Sequence, residues 1–178
     1  MADILDSKNI IINSFKNLLI SKNLSKVTVS EIVKESKLSR QTFYRHFSGI
    51  DELIYFSHYQ RVSIAYEASN KNLPSETVLE LYLSLMLNEH NFYKQIYKLP
   101  EYDSFEKMYL LRTKENFLEY IYKGDISLIL NDEKQSLLLN FFIHGFSSIV
   151  LEWIQEKHPC SPKTLANVIT KSIPDSFN

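Results

Sequence analysis

Thr28-Val-Ser-Glu-Ile-Val-Lys-Glu-Ser-Lys-Leu-Ser-Arg-Gln-Thr-Phe-Tyr-Arg-His-Phe-Ser-Gly-Ile-Asp51 contains two short helical segments, each announced by a residue able to cap it. Thr28 and Glu31 have capping-box spacing, in which each side chain satisfies the other residue's free backbone N–H. This predicts a helix from Val29 to Ser36. The short turn Ser36-Lys37-Leu38-Ser39 follows, and Ser39 is a good N-cap for a helix from Arg40 to His46. Leu38, Phe43 and Phe47 then face Ile32, Val33 and a preceding helix, leaving Arg40, Gln41, Thr42, Tyr44 and Arg45 outward or at the edges.

A reader of double-stranded DNA needs such a part: a short rigid helix with basic and amide side chains at its start and an apolar back that locks it to a supporting helix. Charge supports the same reading. Residues 1–61 carry nine Lys/Arg against six Asp/Glu, giving +3, while the remainder gives −4, so the net −1 hides a polarised chain. Between Ser7 and Ser48 only Glu31 and Glu35 oppose eight basic residues, a field that attracts a polyanion.

Working outward, the apolar spacing is helical almost throughout and only three glycines interrupt it. The expected fold is all-α: an N-terminal three-helix helix-turn-helix domain over residues 1–49, and a helical ligand-binding and dimerisation domain over 50–178. The spacing predicts a first helix over 7–21, a connecting helix over 50–69, and further helices over 75–89, 91–98, 103–123, 132–157 and 162–173. Breaks are marked by Asn70-Lys71-Asn72-Leu73-Pro74, Pro100, Lys123-Gly124-Asp125 and Ser161-Pro162. Around Leu137–Ile154 the apolar residues point in nearly every direction, so that helix needs cover on two sides. A second subunit supplies it most simply, with Phe141, Gly145, Ile149, Trp153, Leu165 and Ile169 as candidate interface residues. A central position within one bundle is the alternative.

With 44% hydrophobic residues in 178, the chain can bury a substantial core. No secretion signal and no unbroken apolar run of membrane-spanning length occurs, which reads as a soluble, cytoplasmic protein without a membrane partner. The single Cys160 allows neither an internal disulfide nor a cysteine-based metal site. There is no His-Glu-x-x-His, glycine-rich phosphate loop or Gly-x-Ser-x-Gly, so neither an enzyme nor a cofactor or metal is expected.

The segment through the fourth helix resembles the DNA-binding domain of the TetR family of transcriptional regulators. The likeness rests on Ser39-Arg40-Gln41-Thr42-Phe43-Tyr44-Arg45-His46-Phe47 followed by Asp51-Glu52-Leu53, about the first third of the chain. Asn91-Phe92-Tyr93-Lys94-Gln95-Ile96-Tyr97 and Phe141-Phe142-Ile143-His144-Gly145 resemble the branch that includes regulators of dihydroxyacetone kinase operons.

The resemblance implies that Ser39, Arg40 and Gln41 read bases, Arg40 with a fork suited to guanine and Gln41 with an amide suited to adenine. It implies that Thr42, Tyr44 and His46 hold phosphates, and that backbone N–H groups at Thr28 and Val29 meet another. Ile50 departs from the pattern, since many relatives carry a phosphate-clamping lysine there; weaker DNA binding, or reliance on Lys26, Lys37 and Arg45, follows. An effector pocket among the later helices is implied too, with Tyr82, Phe92, Tyr93, Tyr97, Phe105, Tyr109, Phe117, Tyr120 and Phe142 as candidate lining and Asn88, His90, Arg112 and His144 as polar candidates. The expected function is a homodimeric repressor of a palindromic operator, controlled by a small-molecule effector. The alternative is a DNA-tethered adaptor or activator whose C-terminal bundle binds a partner protein.

Overall fold

The computed structural model describes residues 2–69, 73–99, 102–122 and 125–177. Among these it contains ten α-helices and no strand: α1 (Ala2–Ser21), α2 (Val29–Ser36), α3 (Arg40–His46), α4 (Ile50–Ser69), α5 (Ser75–Asn88), α6 (His90–Ile96), α7 (Tyr102–Asn116), α8 (Ile126–Leu130), α9 (Glu133–Gln155) and α10 (Pro162–Lys171). The sequence-predicted breaks at Asn70–Asn72, Pro100 and Lys123-Gly124 lie outside the described residues. The chain divides into two compact units, residues 1–60 with 94–105, and residues 61–93 with 106–178. Helix α4 starts in the first and ends in the second.

In the first unit α1 packs against both α2 and α3. Phe15 of α1, Ile32 of α2, and Phe43 and Phe47 at α3 are all at most 1% exposed, so one apolar cluster fixes the angle between the two short helices. Removing even one such ring from a close-packed site costs about 3–5 kcal/mol. The capping box is formed as its spacing predicts: Thr28 N donates to Glu31 Oε2 at 3.0 Å, and Glu31 N donates to Thr28 Oγ1 at 3.3 Å. Lys22 pairs with the same carboxylate. That pairing and the cap hydrogen bonds hold the Glu31 carboxyl below its ordinary pKa. The Lys37 that closes α2 adopts a left-handed conformation (φ 57°), which costs an L-residue about 1 kcal/mol and sets the turn into α3. Ser48 starts α4 by donating its N–H to Glu52 Oε2 at 2.6 Å. The first unit also takes in the end of α6 and the stretch that follows it, and Gln95 Oε1 of α6 accepts from Leu24 N at 2.7 Å.

In the second unit α5 lies along α10 and α8 packs on α9. Ser161 caps α10 and Pro162 opens it as the sequence predicts, while Asp132, expected as the first residue of its helix, instead caps α9. The helix expected over 103–123 differs: α7 gives way to a π-helical turn over Phe117–Ile121, in which Tyr122 N reaches Phe117 O at 2.8 Å. The short α8 was also unexpected, since five residues carry too little periodicity to distinguish a helix from a loop. Helix α9 is long and apolar enough to cross a membrane by length and composition. Its Leu139, Ile143, Val150 and Ile154 are nonetheless buried inside the unit, while His144, Ser148 and Glu152 are exposed, the two-faced arrangement of a helix laid on a core.

Thr28→Ala should lower the unfolding free energy by about 1 kcal/mol, as loss of an N-cap does. Chemical denaturation of this variant, Glu31→Gln and the double variant would measure the coupling. Strict additivity would show that the two bonds do not act as one box.

Candidate nucleic-acid interface and effector cavity

Helix α3 buries Phe43 and exposes four of its other six residues. Arg40, Gln41, Tyr44 and Arg45 are exposed, Tyr44 at 49%, and Thr42 is half-buried. Gln41, Thr42, Tyr44 and Arg45 together line a shallow surface concavity. Ser39 Oγ accepts from Thr42 N at 2.9 Å and lies 2.8 Å from Thr42 Oγ1, so both hydroxyls are engaged in starting the helix. A DNA contact by either must share that bond. The Tyr44 ring stands edge-on to Phe43 at 5.3 Å between centroids, which holds the phenol at the surface. At the start of α2 the capping box occupies the N–H groups of Thr28 and Glu31, leaving those of Val29 and Ser30 without an intrahelical acceptor.

His46 is placed differently from the exposed four. Its Nε2 lies 2.7 Å from Ser7 Oγ, tying the end of α3 to α1. Burial, then the charges of Arg45 and Lys8, push its pKa below the ordinary value, so the ring is neutral at pH 7.

The basic field is also sorted by the fold. Lys8 Nζ sits 3.4 Å from the Phe56 ring centroid and 5.7 Å from that of Phe47, and burial pulls its pKa down against the opposing pull of Glu52. Lys16 donates to Gln60 Oε1 at 2.7 Å, and Lys22 pairs with Glu31. Lys26, Lys34, Lys37, Arg40 and Arg45 remain exposed. Three of the eight basic residues counted in the sequence are therefore engaged with the protein, a sorting that charge counting alone does not reveal.

The second unit holds a partly open cavity of about 80 Å³. Its lining takes a few residues from each helix: Ala65 and Tyr66 of α4; Ser75, Val78, Leu79 and Tyr82 of α5; Thr113 and Asn116 of α7, with Phe117 just beyond; Phe142, Ile143 and Phe146 of α9; and Ile169 and Thr170 of α10, with Ile173 after it. Tyr82, Phe117 and Phe142 are the sequence candidates that line it. Phe92, Tyr93 and Tyr109 instead belong to the core of the same unit. The Tyr109 hydroxyl meets that of Tyr82 at 2.8 Å, and burial drives the pKa values of Tyr82 and Tyr93 upward. Arg61 lies over the Phe92 ring at 4.0 Å and 3.4 Å from Glu89 Oε1. Phe105 and the exposed Tyr97 belong to the first unit, where Phe105 stands edge-on to His58.

The polar candidates lie elsewhere. Arg112 pairs with Glu115 at 2.7 Å, His90 Nε2 lies 3.1 Å from Glu156 O, and His144 and Asn88 are exposed. The Tyr120 side chain lies outside the described residues. The lining residues that sequence reasoning missed recur at i, i+3 and i+4 within α5 and α7, a signal present in the sequence but shared with every core helix.

Of the candidate interface residues, Phe141 is 80% exposed, Ile149 43%, and Gly145 is exposed too. A Cβ added to Gly145 meets no heavy atom within 4 Å. Trp153, Leu165 and Ile169 are buried within the protomer, with Trp153 Nε1 donating to Cys160 O at 2.9 Å.

A capped, basic, exposed short helix clasped from behind, joined to a larger helical unit, defines a helix-turn-helix DNA-binding transcription regulator. Residues 11–54 match the family described as "Bacterial regulatory proteins, tetR family", and residues 75–175 match a "Transcriptional regulator C-terminal region" of TetR type. The chain belongs to the TetR family. It is 26% identical over 130 residues to the HTH-type dhaKLM operon transcriptional activator DhaS of Lactococcus lactis subsp. lactis (strain IL1403). That match spans 73% of this chain and 64% of the relative's own length. Among solved structures, it resembles a dihydroxyacetone kinase operon activator DhaS, with TM-score 0.64, 21% identity and 96% of each chain covered. It also resembles a TetR transcriptional regulator from Streptococcus agalactiae 2603V, with TM-score 0.61, 19% identity, and 97% of this chain and 96% of that one covered.

Because the folded pKa of His46 lies below its unfolded value of about 6.5, the unfolded chain takes up its proton first as the pH drops. This part of the stability is fully present above that value and is lost as the pH falls through the folded pKa. Denaturation series from pH 7.5 to 5 should show a shallower decline for His46→Gln than for the parent protein. Parallel curves would show that the decline comes from other groups.

Proposed function

We propose that this protein is a homodimeric, sequence-specific regulator that reads a palindromic operator with two copies of α3, its operator affinity controlled by a small molecule in the cavity of the second unit. In this reading residues 1–49 form the DNA-reading domain and residues 50–178 the effector and dimerisation domain. The protein acts in the cytoplasm, without turnover, cofactor or membrane attachment. The observation that carries it is the exposure of Arg40, Gln41, Tyr44 and Arg45 on a Ser39-capped helix whose Phe43 is fully buried. Ser39, Arg40 and Gln41 are assigned to bases. Thr42, Tyr44, Arg45, Lys37 and the start of α2 at Thr28 and Val29 are assigned to phosphates, with His46 joining them by giving up or sharing Ser7.

Dimerisation is supported by the stripe Leu137, Phe141, Gly145 and Ile149, which recurs every fourth residue on the open face of α9. Gly145 sharpens the argument. Glycine costs a helix interior about 1 kcal/mol relative to alanine, and nothing in the protomer needs the space it leaves, which suits the approach of a second backbone.

The direction of control has two readings, repression released by the effector or activation. Activation is favoured by one finding: the Lactococcus lactis relative is named an activator. A promoter fusion measured with and without the chromosomal copy would decide it.

Selection of bound duplexes from a random pool should return a palindrome. Arg40→Ala should cost about 1–3 kcal/mol in binding and relax the preference at one base pair per half-site. Unchanged affinity and preference would remove Arg40 from the reading role. Gly145→Leu should leave the protomer at least as stable while shifting sedimentation from dimer towards monomer. A dimer that survives it would place the contact elsewhere.

A further inference from the structure

The lining of the cavity contains no Asp, Glu, Lys, Arg or His. A charged molecule entering it would lose its hydration with no counter-charge to replace it, a penalty of several kcal/mol per ion. The walls are mostly apolar, and the polar members are not equivalent. Thr170 Oγ1 already donates to Ala166 O at 2.8 Å, and the Tyr82 hydroxyl is engaged with Tyr109. Thr113 and Asn116 stand one turn apart on α7, and among the described residues neither side chain makes a hydrogen bond. Asn116 immediately precedes the π-helical turn and makes no side-chain cap bond to it. Such turns concentrate where a helix is shaped around a site.

The geometry points to an occupant that is a small, uncharged aliphatic molecule with a single hydroxyl or carbonyl group, held by hydrogen bonds from Thr113 and Asn116 while its chain packs against Val78, Phe142 and Ile143. This rests on the reading of the cavity as the effector site and specifies its chemistry. Size is guided by volume: about 80 Å³ is roughly half of the ~150 Å³ of an apolar cavity that accepts benzene, and with the mouth partly open this suits a short chain of about five non-hydrogen atoms. A hydroxyl or a carbonyl suits the pair, because Thr113 and Asn116 can each donate and accept.

The test uses 1-butanol, n-butylammonium and butyrate, which share a four-carbon chain and differ in charge. Titrating each into the full-length protein with labelled isoleucine methyl groups should give saturable shifts at Ile143 and Ile169 with 1-butanol only. Thr113→Val combined with Asn116→Leu should weaken 1-butanol about tenfold, the loss of a hydrogen-bonded anchor. Ala65→Leu, which fills the cavity, should abolish binding. Ile143→Phe fills it from another wall, read at Ile169, should the first variant fail to fold.

Equal or tighter binding of either ion, no saturable response to 1-butanol, or undiminished binding in a folded filled variant would overturn the proposal. Duplex selection on the same samples keeps the two readings apart. Failure to select any DNA sinks the regulator, whereas the methyl titration decides the cavity's chemistry without DNA.

Discussion

Phe43 and Phe47 have their ring centroids 5.8 Å apart behind α3, both sealed from solvent, and the positions of the exposed residues of α3 depend on that contact. A seven-residue helix has little stability of its own, because nucleation costs more than so few hydrogen bonds return. It persists because one face is committed to the core and its first turn is closed by Ser39. Once that face is fixed, the 3.6-residue repeat places Arg40, Gln41, Tyr44 and Arg45 on the remainder. The exposed polar surface of α3 is therefore a by-product of the clasp. Substituting an exposed residue can change the surface of α3 while leaving the fold intact, whereas substituting a ring removes both together.

The same clasp decides which charges face outward. Lys8 is on α1 at the back of the unit, where its ammonium rests on Phe56, and cation–π contact with partial burial makes it part of the packing. Lys22 is tied to the carboxylate that caps α2. The exposed cations thus cluster on and around the turn between α2 and α3, namely Lys34, Lys37, Arg40 and Arg45, with Lys26 before α2. In the proposed reading, phosphate attraction in this head rests on those five and on backbone donors. Its affinity should depend on salt through a small number of released counterions.

What the sequence disclosed and what it concealed follow from how far apart the determining residues lie. The caps at Thr28, Ser39 and Ser161 were legible because each is a dialogue between residues three positions apart. The surface of α3 was legible because Phe43 and Phe47 announce its buried side. The internal engagement of Lys8 and Lys16 was not, since Phe56 and Gln60 lie more than forty positions away. Nor was the cavity. Aromatic richness drew attention to Phe92, Tyr93 and Tyr109, which are ordinary core, while the polar lining consists of small residues such as Thr113 and Asn116 that no local pattern distinguishes. The π-helical turn was equally hidden, because an i to i+5 register in a single turn is chosen by tertiary packing.

Helix α9 joins the two proposed activities of the second unit. Phe142, Ile143 and Phe146 face the cavity, while Phe141, Gly145 and Ile149, interleaved with them along the chain, face out. A rotation or shift of α9 that accommodates an occupant must therefore move the outer stripe by a similar amount. The energy available is limited. Even at the best observed efficiency of about 1.5 kcal/mol per non-hydrogen atom, a five-atom occupant contributes roughly 7 kcal/mol, and ordinary ligands contribute far less. Driving a two-state equilibrium from 1:99 to 99:1 takes about 5.5 kcal/mol of differential binding, which is most of that ceiling. A ligand this small can switch the protein only if the two arrangements of α9 are nearly balanced beforehand, or if two protomers change together and each adds its share. The second condition is what a symmetric contact through the α9 stripe supplies, so the small cavity and the open face of α9 make most sense as parts of one device.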